Sequence, residues 1–159
     1  LLSFNVLAQD LQKSNGDKIS LSDNKGKPVL IVNIATKCGY TPQLESIQKL
    51  YEKYQSKGLV VIGVPSNDFG AQTPESDDGV KKFCQLNYGA TYTISKKTVV
   101  KGKDKHPFFK NLISQDNNQE ISWNFEKFLI GKNGKLVKRF KSNVKPDSEE
   151  MKKAIEELL

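Results

Sequence analysis

One thiol stands where this chain could do chemistry. Cys38 follows the apolar run Val29 to Ile34 and precedes PQLESIQKLYEKYQ, in which Leu44, Ile47, Leu50, Tyr51 and Tyr54 recur at helical spacing. The run KPVLIVNIA is too apolar and too short for anything but a buried strand, so a strand, a turn and a helix meet at the sulfur. Thr41 is placed to cap that helix, and Pro42 suits its first position, where a missing N–H costs nothing. The free N–H groups and positive dipole end would then face the sulfur, and Lys37 adds a charge next door. Both favour the thiolate, the reactive form of a cysteine. The plain alternative is a small buried hydrophobe; the strand-to-helix setting favours a nucleophile.

The rest of the chain must position that thiol. Its 159 residues suit one compact domain, 1–159, with a single core. The 25 basic and 18 acidic residues leave a net charge of +7, but only Arg139 is arginine and the lysines are scattered. Nucleic-acid binding is therefore not expected, and the charge is read as solubility and weak attraction to anionic partners. No stretch is long and apolar enough to cross a bilayer, so stable membrane insertion is not expected either. Two cysteines are too few for a disulfide scaffold, and a single histidine excludes most zinc clusters. Two thiols without spare ligands suggest redox chemistry that needs no metal or organic cofactor. The chain opens on Leu1 rather than Met, so its start is read as processed or trimmed. The cytoplasm is the expected compartment, with export or an organelle left open.

No internal repeat, low-complexity tract or linker interrupts the chain. A first strand is expected over Lys18 to Leu21, then a turn at Asp23 to Gly26, then the strand Val29 to Ile34. The helix from Pro42 should end near Lys57, with Gly58 in the left-handed cap position. Leu59 to Val64 completes a parallel, right-handed βαβ unit that Pro65 stops. Asp77 to Leu86 reads as a helix with Val80, Phe83, Cys84 and Leu86 inward, and Pro107 to Ile113 as a shorter one. Phe128 to Ile130 and Leu136 to Phe140 flank Gly131-Lys132-Asn133-Gly134, an antiparallel hairpin signal. A final helix spans Pro146 to Leu159, with Met151, Ile155 and Leu158 as its apolar stripe. The order βαβ, helix, ββα is the thioredoxin plan, an α/β fold with a central mixed sheet flanked by helices. That plan usually carries a second cysteine three residues on, but here position 41 is threonine. A partner thiol must come from elsewhere in the chain or from another molecule.

Three further segments stand out: PSNDFGAQTP at 65–74, KFCQLNYG at 82–89 and WNFEKFL at 123–129. With them the chain resembles the glutathione peroxidase family over nearly its whole length, from SLSDNKGKPVLIVNIATKCGYTPQ to the C-terminal KRF and KP segments. The resemblance implies that Cys38 is the peroxidatic cysteine, which attacks the O–O bond and becomes a sulfenic acid. It implies that Gln72, Trp123 and Asn124 complete a catalytic tetrad. Amide and indole N–H groups suit that task, since they donate hydrogen bonds to developing charge without titrating. By residue type alone, Trp123 would be a packing residue, Gln72 a solvated loop residue and Asn124 a turn former. Cys84 by itself reads as a buried helix cysteine. Its block, however, resembles the one in which thioredoxin-dependent members carry their resolving cysteine, which implies a disulfide with Cys38. Such a bond needs a Cα separation of roughly 4.4 to 6.8 Å, so the segment Asp77 to Asn87 is expected to unwind.

Departures from the family pattern sharpen these expectations. Ser66 stands where many relatives have a third cysteine, which leaves Cys84 as the sole resolver. Asp68 replaces a common glutamine and is expected to be a solvated loop residue. The segment between Ile113 and Trp123 lacks the extra loop of glutathione-using tetramers and resembles monomeric members with an open site. His106 reads as a helix cap or surface residue. The implied function is a thiol peroxidase that reduces hydrogen peroxide and organic or lipid hydroperoxides. Thioredoxin or a similar dithiol protein is the expected reductant, ahead of glutathione. A peroxide sensor that relays oxidation to a partner protein would use the same thiols, and a noncatalytic binding module would need none of them.

Overall fold

Alternation along one central strand divides the core in two. In the computed structural model, which describes residues 9–19 and 21–159, β3 spans Val29–Ile34 and is buried along its whole length. Leu30, Val32 and Ile34 pack with residues of α1 (Gln43–Tyr54), α2 (Asp77–Tyr88) and α4 (Glu149–Glu156). Val29 and Ile31 point the other way, towards Phe108, Phe109, Leu112 and Ile113 of α3 (Pro107–Ser114). A period-two backbone forces this split, and a strand buried on both faces reads as an unbroken apolar run.

The sheet has five strands in the order β5-β4-β3-β6-β7, with β4 at Val60–Pro65, β5 at Thr93–Ile94, β6 at Lys127–Ile130 and β7 at Leu136–Phe140. β3, β4 and β5 run parallel, while β6 is antiparallel to β3 and β7 to β6. The α1 helix feeds a short 3-10 turn that stops at Gly58, whose φ of +106° is the left-handed cap expected there. The hairpin between β6 and β7 closes through Gly134 at φ +79°. This is the expected mixed sheet with flanking helices.

Several expectations need correction. The strand expected over 18–21 is β2, Lys18–Ile19, which pairs antiparallel with an unforeseen β1 at Leu11–Gln12; Ser20 lies outside the described residues. Neither β1 nor β5 is long enough to show an alternating pattern. The last helix starts at Glu149, not Pro146, because the Ser148 hydroxyl accepts from Met151 N–H and caps it there. It ends at Glu156, and Leu158 packs against the core from beyond it. The α2 helix runs on to Tyr88, where Gly89 caps it at φ +63°. Within it Val80 and Cys84 are buried, but Leu86 is 84% exposed, since two residues from Cys84 lies half a turn around the helix.

Candidate active site

Cys38 sits just past the carboxyl end of β3, in a loop at residues 35–42, and is half-buried. Thr41 does not cap α1 as expected. Its buried hydroxyl accepts from Cys38 N–H at 2.9 Å and donates to the Ala35 carbonyl at 2.9 Å, so it fastens the loop that carries the thiol. The helix begins at Gln43 with Pro42 at the cap position and no side-chain cap. The N–H groups of Gln43 and Leu44 are taken by the Tyr40 and Thr41 carbonyls, both at 2.9 Å. The backbone donor that reaches the sulfur is instead Tyr40 N–H, 3.4 Å from Sγ.

The loop after β4 is tied directly to this turn. Lys37 N–H donates to the Gln72 carbonyl at 2.9 Å, and the Thr36 hydroxyl lies 3.3 Å from the same oxygen. The loop is braced internally by Thr73, whose N–H donates to Asn67 Oδ1 and whose hydroxyl donates to the Ser66 carbonyl. Gly70 and Ala71 are both left-handed, at φ +68° and +51°. A Cβ at Gly70 would lie 3.4 Å from the Trp123 ring and 3.5 Å from Gln72 Cγ, so the chain threads narrowly between them. Asp68 is not the solvated residue expected; its carboxylate accepts from Val100 N–H at 2.7 Å. His106 does cap α3, with Nδ1 accepting from Phe108 N–H at 3.1 Å.

The third segment closes the cluster. Asn124 is fully buried and donates through Nδ2 to Gln72 Oε1 at 3.1 Å. That bond uses the Gln72 oxygen and leaves its NH2 group, which has no hydrogen-bond partner among the described residues, available as a donor. Asn124 Oδ1 is buried with no partner among the described residues. Trp123 is 37% exposed, with its ring 5.9 Å from that of Phe69. Glu126 anchors the far end of the turn: it is buried, pairs with Arg139 at 3.0 Å and Lys141 at 3.4 Å, and accepts from Ser122. Asn124 and Gln72 are thus joined directly, Trp123 lies next to Asn124 in the chain with its ring near Gly70, and the Lys37–Gln72 bond ties this segment to the Cys38 loop. The three supply neutral donors rather than charges.

Cys84 lies apart in character. It is fully buried in the cluster of Leu44, Ile47, Val80 and Tyr92, against which Cys38 packs from the edge, and both thiols are free. Burial, aided by the Glu75 carboxylate, pushes its pKa up to about 12 from 9.0. The neutral thiol therefore favours the folded chain at any pH below about 9, and that preference is lost as the pH climbs from there towards about 12. Thermal unfolding at pH 8 and pH 11 should show a larger loss of stability for the native chain than for Cys84→Ala; equal losses would contradict the buried setting.

Thr41, Asn33, Thr36 and Glu75 were not legible as site residues. Asn33 alone gave a signal, an amide inside an apolar strand. Its Nδ2 donates to the Trp123 carbonyl at 3.1 Å. The Thr36 hydroxyl donates to Glu75 at 2.5 Å.

A thiol at the carboxyl end of a parallel strand, in a mixed sheet flanked by helices, defines a thioredoxin-fold thiol enzyme. A thiol:disulfide interchange protein of the thioredoxin family from Chlorobium tepidum shares the fold alone, at 17% identity and a TM-score of 0.64 over 94% of this chain and 91% of that one. Residues 6–113 match the sequence profile of the glutathione peroxidase family. Glutathione peroxidase-like peroxiredoxin 2 of Saccharomyces cerevisiae is 47% identical over 87% of this chain and 88% of its own. Hydroperoxy fatty acid reductase gpx1 of Synechocystis is 40% identical over 91% and 90%. The crystal structure of Trgpx in apo form superposes with a TM-score of 0.80 at 31% identity, covering 98% of this chain and 95% of that one. The chain belongs to the glutathione peroxidase family, and it is a peroxidase.

Proposed function

We propose that this chain is a thiol peroxidase in which Cys38 reduces hydroperoxides and Cys84 resolves the oxidised product. The Cys38 thiolate attacks the O–O bond; an S–O bond forms, the O–O bond breaks, and the leaving oxygen takes a proton to become an alcohol or water. Gln72, Asn124 and Trp123 are read as the donors that steady the charge on that oxygen. Cys84 then attacks the sulfenic acid, an S–S bond forms and water leaves. A dithiol protein of the thioredoxin type reduces the disulfide and restores both thiols.

The observation that carries this reading is the bonded pair of Gln72 and Asn124, tied by the Lys37–Gln72 backbone bond to the loop that carries a half-buried thiol, with the partly exposed Trp123 next to Asn124 in the chain. The Gln72 NH2 left free by Asn124 is the kind of donor an oxyanion needs, and the exposed indole leaves room for a bulky substrate. The Synechocystis relative, named for hydroperoxy fatty acids, supports lipid hydroperoxides among the substrates. We read the protein as a monomer.

The test is steady-state turnover of hydrogen peroxide and a fatty acid hydroperoxide, with thioredoxin and its reductase or with glutathione as the electron source. Turnover should be sustained with thioredoxin and at least about tenfold slower with glutathione. A single stoichiometric oxidation without turnover under either reductant would favour a sensor that hands its oxidation to a partner.

A further inference from the structure

Asn33 is the only polar side chain in the buried run VLIVNIA, and it lies at the point where the regular ladder between β3 and β6 ends. That ladder stops at the pair Val32 and Lys127. One residue further, Asn33 makes three bonds of a different kind. Its N–H donates to the Glu126 carbonyl at 3.3 Å, its carbonyl accepts from Phe125 N–H at 2.6 Å, and its Nδ2 donates to the Trp123 carbonyl at 3.1 Å. The segment so gripped is the turn that presents Trp123 and Asn124. Phe125 sits within it at φ +66°, a conformation that a bulky residue adopts only where its surroundings hold it.

Stability alone does not account for an amide here. A leucine would keep both backbone bonds and avoid burying a polar group, a change that is often neutral or favourable. Nor is the amide fully satisfied, because Asn33 Oδ1 is buried with no partner among the described residues. The bond that only the side chain can make is the one to Trp123.

We propose that Asn33 is a positioning residue of the peroxidase site. Through the Trp123 carbonyl it fixes the turn at 123–125, and so sets the indole and the Asn124 amide against Gln72 and the Cys38 loop. It touches none of the reacting atoms. The inference rests on the peroxidase reading above and adds to it a residue outside the tetrad.

The experiment uses the full chain as wild type, Asn33→Leu and Asn33→Ala. Three quantities are read: the rate at which hydrogen peroxide oxidises Cys38 in a single turnover, the emission of Trp123, and thermal unfolding. Trp123 is the only tryptophan, so its emission reports this turn alone. Both folded variants should oxidise at least about tenfold more slowly, with shifted Trp123 emission and easier acrylamide quenching. Reduction of their disulfide by thioredoxin should proceed at the wild-type rate. A merely structural role would lower the unfolding temperature but leave oxidation and emission of the folded protein unchanged, and that result overturns the proposal. If neither variant folds, Asn33 is a stability residue and the proposal is also overturned. Absence of turnover in the wild type would sink both readings, whereas normal turnover with unchanged variants would sink this one alone.

Discussion

Cys38→Ser is expected to abolish hydroperoxide turnover, with kcat/KM falling by at least about a thousandfold, as removal of a covalent nucleophile generally does. An alcohol at this position cannot ionise at neutral pH, and oxygen attacks a peroxide bond far less readily than sulfur. No neighbour can replace it. Ser66 is buried, with its hydroxyl accepting from Asp68 N–H at 3.1 Å. Cys84 is enclosed in the core, where burial pushes its pKa up to about 12 and disfavours its thiolate at neutral pH. Folding should hardly change, because the Thr41 bonds that shape the loop involve the Cys38 backbone and not its sulfur. Peroxide consumption against a blank, together with an unfolding curve, checks both halves. Substantial turnover by a folded Cys38→Ser chain would remove the basis for the proposed chemistry.

Cys84→Ser should separate the two halves of the cycle. Thioredoxin-driven turnover is expected to fall at least about a hundredfold, while the first equivalent of peroxide is still consumed and the Cys38 sulfenic acid accumulates for trapping with dimedone. The reason lies in α2. Of its twelve residues only Val80 and Cys84 are buried, and its ends depend on the Ser76 cap, the Gly89 cap and a bond from Lys97 N–H to Asp77 at 2.8 Å. A helix held by so little apolar burial is a reasonable one to open locally. Hydrogen exchange should therefore show lower protection over Asp77 to Asn87 in the oxidised wild type than in the reduced form, and no such difference in Cys84→Ser. Equal protection in both redox states of the wild type would mean that the helix does not move. Sustained thioredoxin-driven turnover in the variant would mean that the sulfenic acid is resolved by another route.

Periodicity made the parts of the fold with long, repetitive burial legible. The runs that became β3 and β4, the apolar spacing of α1 and the Asn-Gly hairpin all carry their pattern within a dozen residues. β1 and β5 are two residues long and carry no such pattern; they are fixed by pairing with β2 and β4 and could not be read. Leu86 looked inward only because apolar residues usually are; its place on the helix puts it outside. At the site, the strand-to-helix setting singled out Cys38, whereas Gln72, Trp123 and Asn124 stood out only through the family resemblance, because the bonds that tie these segments together connect residues 36 to 90 positions apart. Thr41 illustrates the limit. A threonine before a proline fits the cap rule, yet the hydroxyl serves Cys38 N–H and Ala35, because the turn brings those groups nearer than the helix end.

On the proposed cycle, the enclosure of Cys84 also sets a ceiling on the dose the enzyme can survive. Escape of that sulfur from the core is a first-order event, indifferent to how much oxidant is present, whereas a second oxidant molecule reaches the exposed sulfenate at a rate that grows with concentration. Above some crossover the second collision wins and Cys38 is carried to the sulfinic acid, from which thioredoxin cannot retrieve it. On the proposed cycle, that crossover is governed by how tightly Val80 and its neighbours clasp one helix, so tolerance to oxidant could be tuned by packing far from the reacting sulfur.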